Sequence, residues 1–216
     1  MRIEKGSRLV FIGDSITDCN RVKPVACGKG NLGDGFVNLV NAFLNTSYPD
    51  YYIRVFNMGI SGNTVRDLDN RWQSDALDLN PDWLIIMIGI NDVWRQFDSP
   101  IQTEEHVHLN EYRDTLERLI VKSSKQVKRI VLMTPFFIEH RVDDPMRAKM
   151  DEYGLVVKQL AKEYDLLLVD TQKVINDHLQ HVHSSALAWD RVHPDTTGHM
   201  LLARAFLNVI DFKFIH

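Results

Sequence analysis

Five short apolar runs punctuate the chain: Leu9–Ile12, Ile53–Phe56, Trp83–Ile88, Ile130–Met133 and Leu166–Val169. Each is rich in Val, Ile, Leu or Phe and almost unbroken by polar residues. A strand with one wet face alternates apolar and polar positions, whereas a strand covered on both faces does not. The runs therefore predict strands buried on both sides. Between them, apolar residues recur at helical spacing. Leu109, Tyr112, Leu116, Leu119 and Ile120 form one stripe; Met146, Met150, Tyr153, Val157 and Leu160 form another. Leu202, Phe206 and Val209 predict a closing helix whose first amides Asp195 or Thr196 can cap. Strands alternating with helices predict an α/β protein, with a parallel sheet of about five strands and helices on both faces.

No repeat, low-complexity tract or Gly/Ser linker interrupts this alternation, and 216 residues suit one domain spanning 1–216. Two irregular stretches stand out, Cys19–Asp34 and Phe136–Pro145. Loops of this length are either plain connectors or parts of a site. Hydrophobic residues make up 44% and charged residues 25%, the balance of an ordinary globular protein. A net charge of −4 argues against nonspecific nucleic-acid binding, which needs a basic face. The charged segment Met1–Arg8 precedes only a four-residue apolar run. A secretory core needs about 7–15 apolar residues and a membrane span about 20. The expectation is a cytoplasmic protein without a membrane partner. Cys19 and Cys27 fit no zinc or redox spacing, and two free thiols suit a reducing compartment better than a loop disulfide does.

The chemistry gathers just beyond the apolar runs. The first ends in Gly13-Asp14-Ser15-Ile16-Thr17. Ligands of open α/β sheets sit past the carboxyl ends of the strands, so Ser15 falls where a ligand is expected. The second run leads into Asn57-Met58-Gly59-Ile60-Ser61-Gly62-Asn63-Thr64, and the third into Gly89-Ile90-Asn91-Asp92. Late in the chain come Trp189-Asp190-Arg191-Val192-His193-Pro194. A parallel sheet brings all four groups to one edge. Acyl transfer needs such a set. A serine hydroxyl becomes nucleophilic when a base takes its proton, a task for His193, while Asp190 fixes the imidazole tautomer. The developing oxyanion needs preset donors: the Ser15 amide, a glycine amide and the Asn91 side chain. Gly59 and Gly62 offer the same freedom for close approach.

These blocks resemble the SGNH family, also called GDSL hydrolases, whose four blocks supply a serine, a glycine, an asparagine and a histidine. Here they fall on Ser15, Gly62, Asn91 and His193, from Gly13 to His193. The resemblance selects Gly62 over Gly59. It implies a three-layer flavodoxin-like fold and cofactor-free, metal-free ester hydrolysis by Ser15, Asp190 and His193. Asn91-Asp92-Val93-Trp94-Arg95-Gln96, Met133-Thr134-Pro135-Phe136-Phe137, Asp144-Pro145-Met146-Arg147 and Ala188–Pro194 are most similar to bacterial intracellular acetylxylan esterases of that family. That likeness implies an acetylated saccharide as substrate.

Asp14, Asn63, Trp94 and Trp189 flank the four blocks and are candidate substrate contacts. Three of them have a structural alternative. Asp14 can bond local amides, as Asp92 can. Trp189 and Trp94 can line a pocket or fill the core, and Arg95 can form an ion pair. Ser15 can cap a helix, and Ser61 is a rival nucleophile without the Gly-x-Ser-x-Gly elbow. His106 with His108, and His181 with His183, lack a third spaced ligand, so no metal site is expected. Other functions on the same residues are a short-chain esterase, lysophospholipase or thioesterase. A noncatalytic carbohydrate-binding protein is the alternative of another class. The apolar tail Phe212–His216 can pack on its own domain or on a neighbour in a homo-oligomer.

Overall fold

A computed structural model describes residues 1–214. Five parallel strands form the sheet: β1 (Arg8–Gly13), β3 (Arg54–Gly59), β4 (Trp83–Met87), β5 (Arg129–Met133) and β6 (Leu167–Val169). A sixth, β2 (Ala26–Cys27), runs antiparallel beside β3, giving the order β2-β3-β1-β4-β5-β6. The sheet therefore has six strands where the apolar runs predict five. β2 is two residues long, too short to carry a periodicity, and it pairs from inside the loop Cys19–Asp34. The parallel strands alone follow the flavodoxin-like order, in which the chain reverses direction at β1. The carboxyl ends of β1, β3 and β4 flank that reversal, and a crevice there is the ligand position of such sheets.

Eight helices surround the sheet among the described residues: α1 (Ser15–Asp18), α2 (Phe36–Ser47), α3 (Val65–Asp75), α4 (Ile90–Asp98), α5 (Leu109–Ser124), α6 (Pro145–Glu163), α7 (Thr171–Leu179) and α8 (Thr196–Val209). α2 packs on α8 and α8 on α7, while α3 packs on α5, and α5 and α4 on α6. These groups form the two outer layers. The sheet between them is fully buried along β4, and Val10, Phe11, Leu84 and Val131 have essentially no exposure. That burial is why the strands read as unbroken apolar runs. Phe11 meets Phe36 and Phe206 edge to face, tying β1 to α2 and α8. Asp195 caps α8, accepting from the Gly198 amide at 3.0 Å.

β3 extends further than its apolar run. It continues through Asn57, Met58 and Gly59, which pair with Phe11, Ile12 and Gly13 of β1. Asn57 is wholly buried inside the strand. Its amide nitrogen donates to the carbonyls of Thr17 and Leu32, and its oxygen accepts from the Gly59 amide. A polar residue here fastens the end of β3 to α1. The tail packs on its own domain as far as it is described: Phe212 meets Phe43 and Tyr48, and Phe214 meets Phe43. Ile215 and His216 lie outside the described residues. Cys19 and Cys27 are free.

Candidate active site

Ser15 opens α1 immediately past β1, but it does not cap the helix. Asp14 does, accepting from the Ile16 amide at 3.0 Å. The Ser15 Oγ is left free to reach 2.9 Å from His193 Nε2. The other ring nitrogen of His193 lies 2.6 Å from Asp190 Oδ2. The second Asp190 oxygen accepts from the amides of His193 at 2.9 Å and Val192 at 3.0 Å. One carboxylate thus fixes both the imidazole and the turn that carries it. Burial alone raises the Asp190 pKa, but the His193 ring and the two amides outweigh it and hold the carboxyl below its ordinary value. A chain of this kind lets a hydroxyl pass its proton to an imidazole whose tautomer is already set.

A second histidine, His199, belongs to a different arrangement. It is buried on α8, its Nδ1 accepts from the Phe36 amide at 3.2 Å, and its Nε2 faces the Cys19 sulfur at 3.4 Å. Burial pushes its pKa down to about 4. It stays neutral and holds α2 to α8, whereas the His193 side chain is 41% exposed beside Ser15.

The candidate donors for an oxyanion lie on segments bonded to one another. The Ile60 amide donates to the Gly13 carbonyl at 3.1 Å, and the amide and hydroxyl of Ser61 donate to buried Asp18 at 3.1 Å. Ser61 is thereby engaged away from His193. Asn91 donates from Nδ2 to the Asn63 carbonyl at 2.9 Å, which uses one of its two amide hydrogens and leaves the other. Asp92 accepts from the Val65 amide at 3.0 Å. The two glycines separate cleanly. The Gly59 amide is taken by Asn57, and a Cβ there would lie 2.1 Å from the Asp18 nitrogen. Gly62 has φ +85, open space where a Cβ would be, and no acceptor for its amide among the described residues.

Two of the four flanking candidates, Asp14 and Asn63, spend side-chain oxygens on contacts within the protein. Asp14 is 1% exposed and spends its carboxylate on the cap, because a short helix after a buried strand leaves orphan amides to satisfy. Asn63 turns its side-chain oxygen onto Arg71 Nε at 2.7 Å. Trp189 is 89% exposed, so it is neither core nor an enclosed wall. Trp94 keeps its candidacy: its ring meets the His193 ring edge-on at 5.9 Å and lines a cleft of about 330 Å³ with Phe97, Asp144 and Arg191. Arg95 stacks over Trp94 and pairs with Asp98.

Several positioning contacts carry no signal in the sequence. Arg191, with φ +64 between Asp190 and His193, bonds Glu139 at 2.6 Å and lies over the Phe137 ring. Its carbonyl accepts from Ile138 at 2.8 Å. The loop 136–145 therefore buttresses the turn bearing Asp190 and His193. In the loop 19–34, Arg21 donates to the Gly59 carbonyl at 2.6 Å. Among the described residues no group of three or more His, Cys, Asp or Glu side chains is placed to hold a metal ion, and no helix is long and apolar enough to cross a membrane.

Beneath the site lie two buried carboxyls, Asp14 and Asp92. Burial pushes each up to about 7 from an ordinary 3.8, and the Asp92 Oδ2 has no hydrogen-bond partner among the described residues. A raised folded-state pKa means that the folded chain holds more protons than the unfolded one between about pH 4 and 7, so stability falls as pH rises through that window. Asp92→Asn removes one such group. The drop in Tm between pH 4.5 and pH 8 is expected to be smaller in the variant than in the parent. An equal or larger drop removes Asp92 from this account.

The geometry agrees with comparisons to known proteins. A model of the GDSL-like Lipase/Acylhydrolase family matches residues 11–201. An acetylxylan esterase of Geobacillus stearothermophilus is 55% identical over 216 residues, covering 100% of this chain and 99% of its own. The crystal structure of that organism's acetylxylan esterase Axe2 superposes with a TM-score of 0.98 at 54% identity, covering 100% and 99% of the two chains. Structures of catalytic mutants of Axe2, with a serine, an aspartate or a histidine changed to alanine, match equally well. LAE5, an alpha/beta hydrolase enzyme from the metagenome of Lake Arreo, gives a TM-score of 0.94 at 47% identity over 98% of each chain. With the family model spanning both the Ser15 and His193 segments, the chain belongs to the GDSL-like lipase/acylhydrolase family.

Proposed function

We propose that this chain, acting as one hydrolase unit over 1–216, is a cytoplasmic serine esterase that removes O-acetyl groups from xylan-derived oligosaccharides. The observation that carries the mechanism is the continuous contact from Ser15 Oγ through His193 to Asp190. The full-length likeness to an acetylxylan esterase supports the substrate, and the two free thiols support the compartment. His193 takes the Ser15 proton as Oγ attacks the ester carbonyl. The oxyanion is met by the Ser15 and Gly62 amides and the second hydrogen of Asn91 Nδ2. Collapse expels the sugar alcohol, which takes the proton from His193 and leaves an acetyl-serine. Water, deprotonated by His193, then releases acetate. The cleft beside Trp94 and Arg191, with its aromatic edge, suits a saccharide leaving group.

The test compares acetate release from acetylated xylo-oligosaccharides with hydrolysis of p-nitrophenyl acetate, butyrate and octanoate. The expected result is a kcat/KM that is highest for the sugar acetate and falls with acyl length. A rate that rises with acyl length would replace the acetyl reading by a longer-chain esterase.

A further inference from the structure

Arg71 of α3 lies behind the site, its side chain only 13% exposed, and none of its bonds reaches the open space at Ser15. Its guanidinium bonds two backbone carbonyls and one side-chain oxygen on three segments at once. Nη2 donates to the Gly13 carbonyl at 2.9 Å, Nη1 to the Met58 carbonyl at 2.7 Å, and Nε to Asn63 Oδ1 at 2.7 Å. Asp75, one turn along α3, holds Nη1 from the far side at 3.0 Å. Gly13 ends β1, two residues before Ser15. Met58 sits one residue before the end of β3. Asn63 follows Gly62, and its own carbonyl receives the Asn91 amide. The nucleophile, the Gly62 amide and the Asn91 amide are thus referred to one planar group.

We propose that Arg71 is a positioning residue that sets the spacing between Ser15 and its oxyanion donors, a proposal that rests on the esterase reading of this site. A guanidinium presents five donors in a fixed fork, and here they meet acceptors on β1, β3 and the Gly62 loop together. An ammonium is a point charge on a flexible stem and cannot hold all three directions. Transition-state stabilisation is sensitive to such spacing: a displacement of about 1 Å costs roughly 10²-fold in rate. Substrate binding away from the carbonyl does not depend on it.

Arg71→Lys is therefore expected to lower kcat for p-nitrophenyl acetate by roughly 10- to 100-fold while KM moves less than about threefold. The acid limb of the pH–rate profile stays in place, because Arg71 touches neither His193 nor Asp190. Asn63→Ala removes only the Nε acceptor and gives a smaller loss of the same kind. The double variant falls no further than Arg71→Lys alone. Rates are taken per folded molecule by circular dichroism. If Arg71→Lys does not fold, Asn63→Ala carries the same test. A kcat per folded molecule unchanged in every folded variant, while Ser15→Ala is inactive, overturns the role of Arg71 alone. Activity that survives in Ser15→Ala overturns the esterase reading and this inference with it.

Discussion

Ser15→Ala is expected to lower kcat for p-nitrophenyl acetate by about 10⁵–10⁶-fold, with His193→Ala close behind. In the proposed mechanism serine and histidine act as one unit across a 2.9 Å contact. Without the imidazole the hydroxyl keeps its proton, and without the hydroxyl the imidazole has nothing to activate. The double variant is therefore expected to lose no more than either single one. Some rate over water remains, roughly 10³-fold, because the Gly62 and Asn91 donors still polarise a bound ester. Asp190→Asn loses about 10⁴-fold for a different reason. An asparagine oxygen still accepts from the amides of Val192 and His193, so the turn survives. Its amide group then faces the ring nitrogen at 2.6 Å and selects the wrong tautomer. Near-parental Tm values in all three variants would separate lost chemistry from lost structure. A Ser15→Ala variant keeping more than about a tenth of parental kcat would move the nucleophile elsewhere.

How much of this was legible in the sequence depends on the kind of contact. β1, β4 and β5 announce themselves because burial on both faces demands apolar residues at every position. Ser15, Asn91, Asp190 and His193 are readable because each stands next to a strand or a turn signal, and parallel topology alone brings strand ends together. β2 was not readable: its two residues pair through backbone atoms, which leave no mark on side-chain type. Asn57 was hidden by the opposite effect. A buried asparagine inside a strand looks like the end of the strand, yet its amide replaces the bonds that the turn of α1 lacks. Asp14 reads both ways, since an acid beside a nucleophile suggests chemistry but can equally bond local amides, and its partner is the Ile16 amide two residues along. Arg71 gathers carbonyls from two strands and Arg191 reaches Glu139 52 positions away, and no local pattern encodes such pairings.

Gly59→Ala and Gly62→Ala are expected to fail in opposite ways, although the two glycines look alike in the sequence. A methyl at position 59 would sit 2.1 Å from the Asp18 nitrogen and 2.6 Å from the Thr17 carbonyl carbon. Those are backbone atoms of α1, which cannot rotate aside. β3 must move away from α1, and the Asn57 bonds that join them go with it. The cost is several kcal/mol, a large part of the roughly 5–15 kcal/mol that a domain holds in reserve. For a chain of this size that is a fall in Tm on the order of 10 °C or more, or no soluble protein at all. At position 62 a methyl would meet nothing within 4 Å, so packing is not disturbed. The backbone there has φ +85, which costs a non-glycine residue about 1–2 kcal/mol. The loop can relieve that strain by rotating toward negative φ, and the rotation turns the Gly62 amide away from the oxyanion. Gly62→Ala is thus expected to stay folded with Tm a few degrees lower, and to lose about 10²–10³-fold in kcat, the usual cost of one oxyanion donor. Thermal melts and p-nitrophenyl acetate turnover on the same two preparations decide the matter. A stable Gly59→Ala enzyme would mean that β3 and α1 are not packed as described, and a Gly62→Ala enzyme with full kcat would assign the oxyanion to a different amide.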